Sequence, residues 1–198
     1  MKHVRNTALI LILYLAVTCL SCTGAGKMHI VTRDEWGSQP VVEAETEHQI
    51  KYITIHHGGV FVAPDNDPKV YLQDLQEWCR TEKNWTDIPY HFLMDLEGRV
   101  YEGRPVRYPG DTNTAYDPTG HLLICVIGNY EEQVFTDVQY DALVGLLAHF
   151  CEIYRIDPAL IRGHKDYTET ACPGKNIYRH ISSGQLISDV TEHLRIKN

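Results

Sequence analysis

The sequence predicts one α/β domain, and three observations predict it. Short β-branched runs mix along the chain with longer stretches whose apolar residues recur at helical spacing. The length, 198 residues, suits one substantial core and is too short for two comfortable ones. A composition of 43% hydrophobic and 22% charged residues is that of an ordinary globular protein. No internal repeat or low-complexity tract interrupts the pattern.

The domain is expected to span residues 28–198, behind a leader. Lys2 and Arg5 give a positive start, residues 8–17 are unbroken apolar, and small residues close the run. That is the layout of a secretory signal, and it is too short for a comfortable transmembrane span. Ser21 directly before Cys22 is similar to a bacterial lipoprotein signal, in which the cysteine becomes the lipidated first residue. Cys19 is the weaker candidate for that role. Residues 1–22 are therefore assigned to the signal and 23–27 to a linker, and the protein is expected to be exported. It would face the periplasm or cell envelope and touch the membrane only through a lipid on Cys22.

Without the leader's two basic residues the chain keeps 16 basic against 26 acidic side chains, a formal charge of −10. With no basic cluster present, that balance disfavours nucleic acid and anionic membrane surfaces as partners.

The elements follow in order. Ile30-Val31 end a strand that runs into a Gly-Ser-Gln-Pro loop, with Trp36 as a packing anchor. Residues 49–59, QIKYITIHHGG, form the first clear strand, which places His56 and His57 at its end on opposite faces. Residues 68–83 read as a helix with Pro68 in its first turn. Strands at 90–94 and 99–102 flank Asp95-Leu96-Glu97-Gly98 in a hairpin. Residues 103–120 are irregular, polar and long for a compact domain, which marks a binding loop. LLICVI, 122–127, suits a central strand. Residues 137–154 form the best helix, striped by Leu143, Leu146-Leu147, Phe150 and Tyr154. Asp157-Pro158 turns the chain, Ile161 belongs to a short strand, and residues 177–194 close it as one helix.

The candidate chemistry lies in RGHKDYTETACPG, residues 162–174. His164 and Cys172 are eight positions apart in a stretch too rich in turn residues for regular structure. An imidazole and a thiolate on one loop can share an ion. A third ligand with an open position would make a catalytic zinc site, and a fourth ligand a structural one. His56 is the candidate third ligand, because a strand end opening onto loops is a common site position. Spacing alone leaves its proximity assumed. Cys125 and Cys151 sit in apolar surroundings as small buried hydrophobes, and no disulfide is expected.

Five segments resemble the zinc-dependent N-acetylmuramoyl-L-alanine amidases that share a fold with peptidoglycan recognition proteins and phage T7 lysozyme. In order they are TRDEWG, ITIHHG, DIPYHFLMDLEGRVYEGR, LLICVIGNY and RGHKDYTETACPG, and they cover most of the chain after the leader. The resemblance implies a central mixed β-sheet flanked by helices, with His56, His164 and Cys172 holding Zn²⁺. It also implies roles for Tyr90, which would position or polarise water or carbonyl, and Thr170, which would donate to the oxyanion. The implied activity is hydrolysis of the amide between N-acetylmuramic acid and L-alanine in peptidoglycan or muropeptides.

Two features depart from the family. Some intracellular relatives carry a glutamate where this strand has Cys125, and residues 103–120 match poorly. Two rival functions remain at this stage. One is a non-catalytic peptidoglycan-binding module, although such relatives typically lose the cysteine ligand. The other is a thiol hydrolase with Cys172 as nucleophile and His164 as base. Against it, Pro173 follows the cysteine directly, so no helix begins there to lower the thiol's pKa.

Overall fold

The computed structural model describes residues 28–43 and 46–197. The signal (1–22), the linker (23–27) and the candidate anchor Cys22 lie outside the described residues. Among the described residues six strands form one mixed sheet: β1 (Ile30–Val31), β2 (Tyr52–His57), β3 (Phe92–Met94), β4 (Val100–Glu102), β5 (His121–Val126) and β6 (Ile161–Gly163). Their spatial order is β1-β4-β3-β5-β2-β6. The β3–β4 hairpin is antiparallel and every other pairing is parallel. The α/β class and the mixed sheet are as expected.

Among the described residues five α-helices cover the sheet: α1 (Arg33–Trp36), α2 (Pro68–Thr81), α3 (Asp137–Tyr154), α4 (Lys175–Ser182) and α5 (Gln185–Lys197). Apolar side chains of β2, β3 and β5 pack with α3, α4 and α5 in one core, built on Ile53, Ile55, Ile124, Leu147, Ile177 and Val190. The opposite face carries a second core of Trp36, Leu72, Leu93, Tyr101 and Cys125 beneath α1 and α2. Both faces being covered explains why β5 reads as an apolar run rather than an alternation.

Local chemistry accounts for the helix ends. Asp67 accepts the Lys69 N–H ahead of Pro68, and Thr136 with Gln139 forms a reciprocal cap on α3. Two expectations are corrected. The stretch after Val31 is not all loop: Thr32 and Glu35 cap a one-turn helix whose last residue, Trp36, is buried with its indole N–H on Glu102 O at 2.7 Å. Such a turn is too short to show a period. The closing helix is two helices, because Gly184 takes a left-handed φ of +78° between them, a conformation that favours glycine. The break lets Ile177 and Ile181 on α4 and Leu186 and Val190 on α5 all reach the core.

Candidate metal centre

The register of two parallel strands builds the site. Ile55 of β2 pairs with Gly163 of β6, so the next residues, His56 still within β2 and His164 just past the end of β6, lie side by side. Their ring centroids are 4.5 Å apart. The chain then makes one 3₁₀ turn, His164–Asp166, and returns Cys172 to the same place, where its sulfur lies 3.6 Å from His56 Nδ1. All three side chains are buried. One ligand atom from each lies within 4.8 Å of the others, so the set could hold a metal ion.

The donor set fits such an ion. A tetrahedral zinc with ordinary bond lengths puts sulfur and nitrogen about 3.5 Å apart, which matches the sulfur–nitrogen distance here. Burial, reinforced by the neighbouring histidines, holds the His56 imidazole well below its usual pKa, and burial lowers His164 to about 4. Both rings are therefore neutral, as ligands must be. Burial pushes the Cys172 thiol up to about 12, against one backbone N–H from His57 at 3.3 Å. That thiol needs a cation to ionise. It also argues against a free thiolate nucleophile, as does α4, which starts only at Lys175.

His57 turns to the other face, where its Nδ1 accepts the Tyr130 N–H at 3.1 Å. Only one histidine of the pair serves the metal site. Cys79, Cys125, Cys151 and Cys172 are all free and buried.

Tyr90 and Thr170 line the same cleft as the three donors, a space of about 280 Å³. The Tyr90 ring is 5.2 Å from that of His56. Burial, with Cys125 and Cys172 alongside, raises its phenol well above the usual range. Thr170 Oγ1 accepts the Cys172 N–H at 3.2 Å, which leaves its own proton to give. Tyr71, Leu75 and Trp78 of α2 form one wall and residues 111–114 the other.

Sequence reasoning marked 103–120 as a binding loop without naming its residues. The fold brings Thr114 and Tyr116 from it onto the two histidines. The loop keeps its place without regular structure because buried polar groups fasten it. Arg104 bonds Asp87 O, Ile88 O, Pro109 O and Asp111. His48 links Val106 O to the Gly120 N–H, and His91 links Tyr108 O to the Leu123 N–H. A Cβ at Gly110 would lie 2.3 Å from Pro89 O, so glycine allows that close approach. The clusters of Pro and Gly were the available signal, but they do not say which side chains point inward.

The family model for N-acetylmuramoyl-L-alanine amidase matches residues 46–175, which include all three donors. The chain belongs to this amidase family. Peptidoglycan-recognition protein SC2 of Drosophila melanogaster is 30% identical over 181 residues, covering 89% of this chain and 95% of the relative. Among solved structures, Drosophila peptidoglycan recognition protein SD superposes with a TM-score of 0.70 at 29% identity, covering 79% of this chain and 94% of that one. Peptidoglycan recognition protein LE in complex with tracheal cytotoxin, a monomeric diaminopimelic acid-type peptidoglycan, matches with a TM-score of 0.70 at 25% identity, over 78% and 92% of the two chains. The family so defined includes both enzymes and recognition proteins.

Proposed function

We propose that this protein is an exported, zinc-dependent N-acetylmuramoyl-L-alanine amidase that cuts the amide between N-acetylmuramic acid and L-alanine in peptidoglycan or muropeptides. The observation that carries the reading is the completeness of the site: His56, His164 and Cys172 converge, with Tyr90 and Thr170 on the same cleft.

His56, His164 and Cys172 hold the ion, and the cleft leaves room beside it. Zn²⁺ bound there supplies a Lewis acid and makes water nucleophilic near neutral pH. The chain's own groups do the rest. Tyr90, protonated throughout, donates a hydrogen bond to the scissile carbonyl oxygen as charge develops on it. Thr170 donates a hydrogen bond from its hydroxyl to the same oxygen. Donors fixed in place before the reaction stabilise the transition state without reorganising. Tyr71, Leu75 and Trp78 offer an apolar wall along which the substrate can lie.

The names of the relatives favour a second reading, binding without cleavage. Incubating the protein with purified muropeptides, with and without a chelator, separates the two by mass spectrometry of the products. Release of free peptide that stops with chelator and returns with zinc is the expected result. Binding with no product would sink the amidase reading, and chelator-insensitive cleavage would return the thiol hydrolase.

The export proposal has its own test. The Ser21-Cys22 pair predicts that Cys22→Ala moves the protein from the membrane fraction to the soluble envelope fraction and abolishes labelling by a radioactive fatty acid. A wild type that is soluble and unlabelled would reassign residues 1–22 to a plain cleaved signal, and label that persists in the variant would move the anchor to Cys19.

A further inference from the structure

One segment outside the metal-binding motifs engages both imidazoles at the same ring position. Thr114 Oγ1 lies 2.8 Å from His164 Nε2, and the Tyr116 hydroxyl lies 3.3 Å from His56 Nε2. The other nitrogen of His56, Nδ1, faces the Cys172 sulfur. A neutral imidazole has one N–H and one lone pair, so whatever holds the first nitrogen decides whether the second can bind a metal.

The surroundings of Thr114 leave its hydroxyl able to accept from His164. Thr112 Oγ1 accepts the Thr114 backbone N–H at 3.1 Å and lies 2.7 Å from the Thr114 hydroxyl. If that hydroxyl gives its proton to Thr112, its lone pairs are left for an N–H from His164 Nε2. Tyr116 is held in place independently. Its ring stacks on Tyr167 with centroids 5.5 Å apart and meets His164 at 4.9 Å. The segment as a whole is tied down through the buried Arg104, whose guanidinium bonds Pro109 O and Asp111.

We propose that Thr114 and Tyr116 are positioning residues: each accepts the Nε2–H of one histidine, so that both rings present a bare Nδ1 toward the Cys172 sulfur. This rests on the metal-site reading above and extends it to residues that the motifs do not include. Outer partners of this kind fix ring orientation and tautomer, and their loss typically lowers metal affinity about 10–100-fold.

The test reads the tautomers directly, in metal-free protein labelled with ¹⁵N. Long-range ¹H–¹⁵N spectra should show His56 and His164 as Nε2–H tautomers. Thr114→Val should leave His164 mixed, and Tyr116→Phe should do the same for His56. Competition with a chromophoric chelator should show zinc affinity falling about 10–100-fold in Thr114→Val and returning to within about threefold of wild type in Thr114→Ser. Thermal melts confirm that each variant is folded, and Thr114→Ala, which removes the same acceptor, carries the test if valine is not. Finding His164 as the Nδ1–H tautomer in the wild type would overturn the proposal, as would unchanged tautomers and affinity in Thr114→Val and Tyr116→Phe. If the wild type shows the expected tautomers yet takes up no zinc, the amidase reading fails while the assignment of Thr114 and Tyr116 stands.

Discussion

Cys172→Ser is expected to abolish zinc binding and muropeptide cleavage together. Its sulfur is the donor that brings negative charge to the site, and among the described residues it accepts one backbone N–H, from His57 at 3.3 Å. A serine hydroxyl does not ionise in the same buried position, and it reaches less far from the backbone. Two neutral imidazoles would be left to hold a divalent cation without a compensating charge. Removing zinc from the wild type should mimic the variant. Zinc at about a hundredfold excess over its dissociation constant stabilises the folded state by about 2.7 kcal/mol, or about 5–10 °C in melting temperature for a chain of this size. The variant should melt at the same temperature with and without zinc. Retention of one zinc per chain, measured by elemental analysis, would remove Cys172 from the ligand set.

Tyr90→Phe is expected to separate metal from rate. The phenol lies beside the donor set without belonging to it, so zinc should remain while kcat falls about 10²–10³-fold, the usual loss for one oxyanion donor. KM should change little, because the hydrogen bond strengthens only as charge develops. One observation assigns Tyr90 to donation and not to proton abstraction. Burial keeps its proton on, well above the usual tyrosine range. The single carboxylate lining the cleft among the described residues, Asp111, is already paired with Arg104. The strand position where some intracellular relatives carry a glutamate holds Cys125, buried in apolar surroundings. A kcat within about threefold of wild type would exclude Tyr90 from the chemistry, since a lost oxyanion donor costs far more. Loss of zinc with the rate would make it a structural support instead.

Much of this molecule is written in local patterns. The apolar stripe and capping pair of α3 place its ends at Asp137 and Tyr154, as the sequence alone predicts. Asp67 and Pro68 likewise start α2 where expected. These signals are legible because side-chain period, caps and turn glycines act over a few residues. The one-turn α1 escaped because four residues hold no period, although its Thr32–Glu35 capping pair was visible. The break at Gly184 escaped because apolar residues continue at spacings of four or five across it, although at about 100° per residue Leu186 falls roughly half a turn out of phase with Ile177.

The site divides in the same way. The sequence by itself identified the donor types, His and Cys in a turn-rich loop and His at a strand end, and the family resemblance joined them. It could not bring His56 to His164, because they are over a hundred residues apart and meet only through the pairing of Ile55 with Gly163. Nor could it place Thr114 and Tyr116, which lie in a segment with no period to read and are positioned by its own Arg104, bonded to Asp87 O and Ile88 O, and by His48 and His91 from other parts of the chain. Chemistry that depends on residue type was therefore set locally. Convergence was left to sheet register and buried polar contacts, which exist only once the chain has folded.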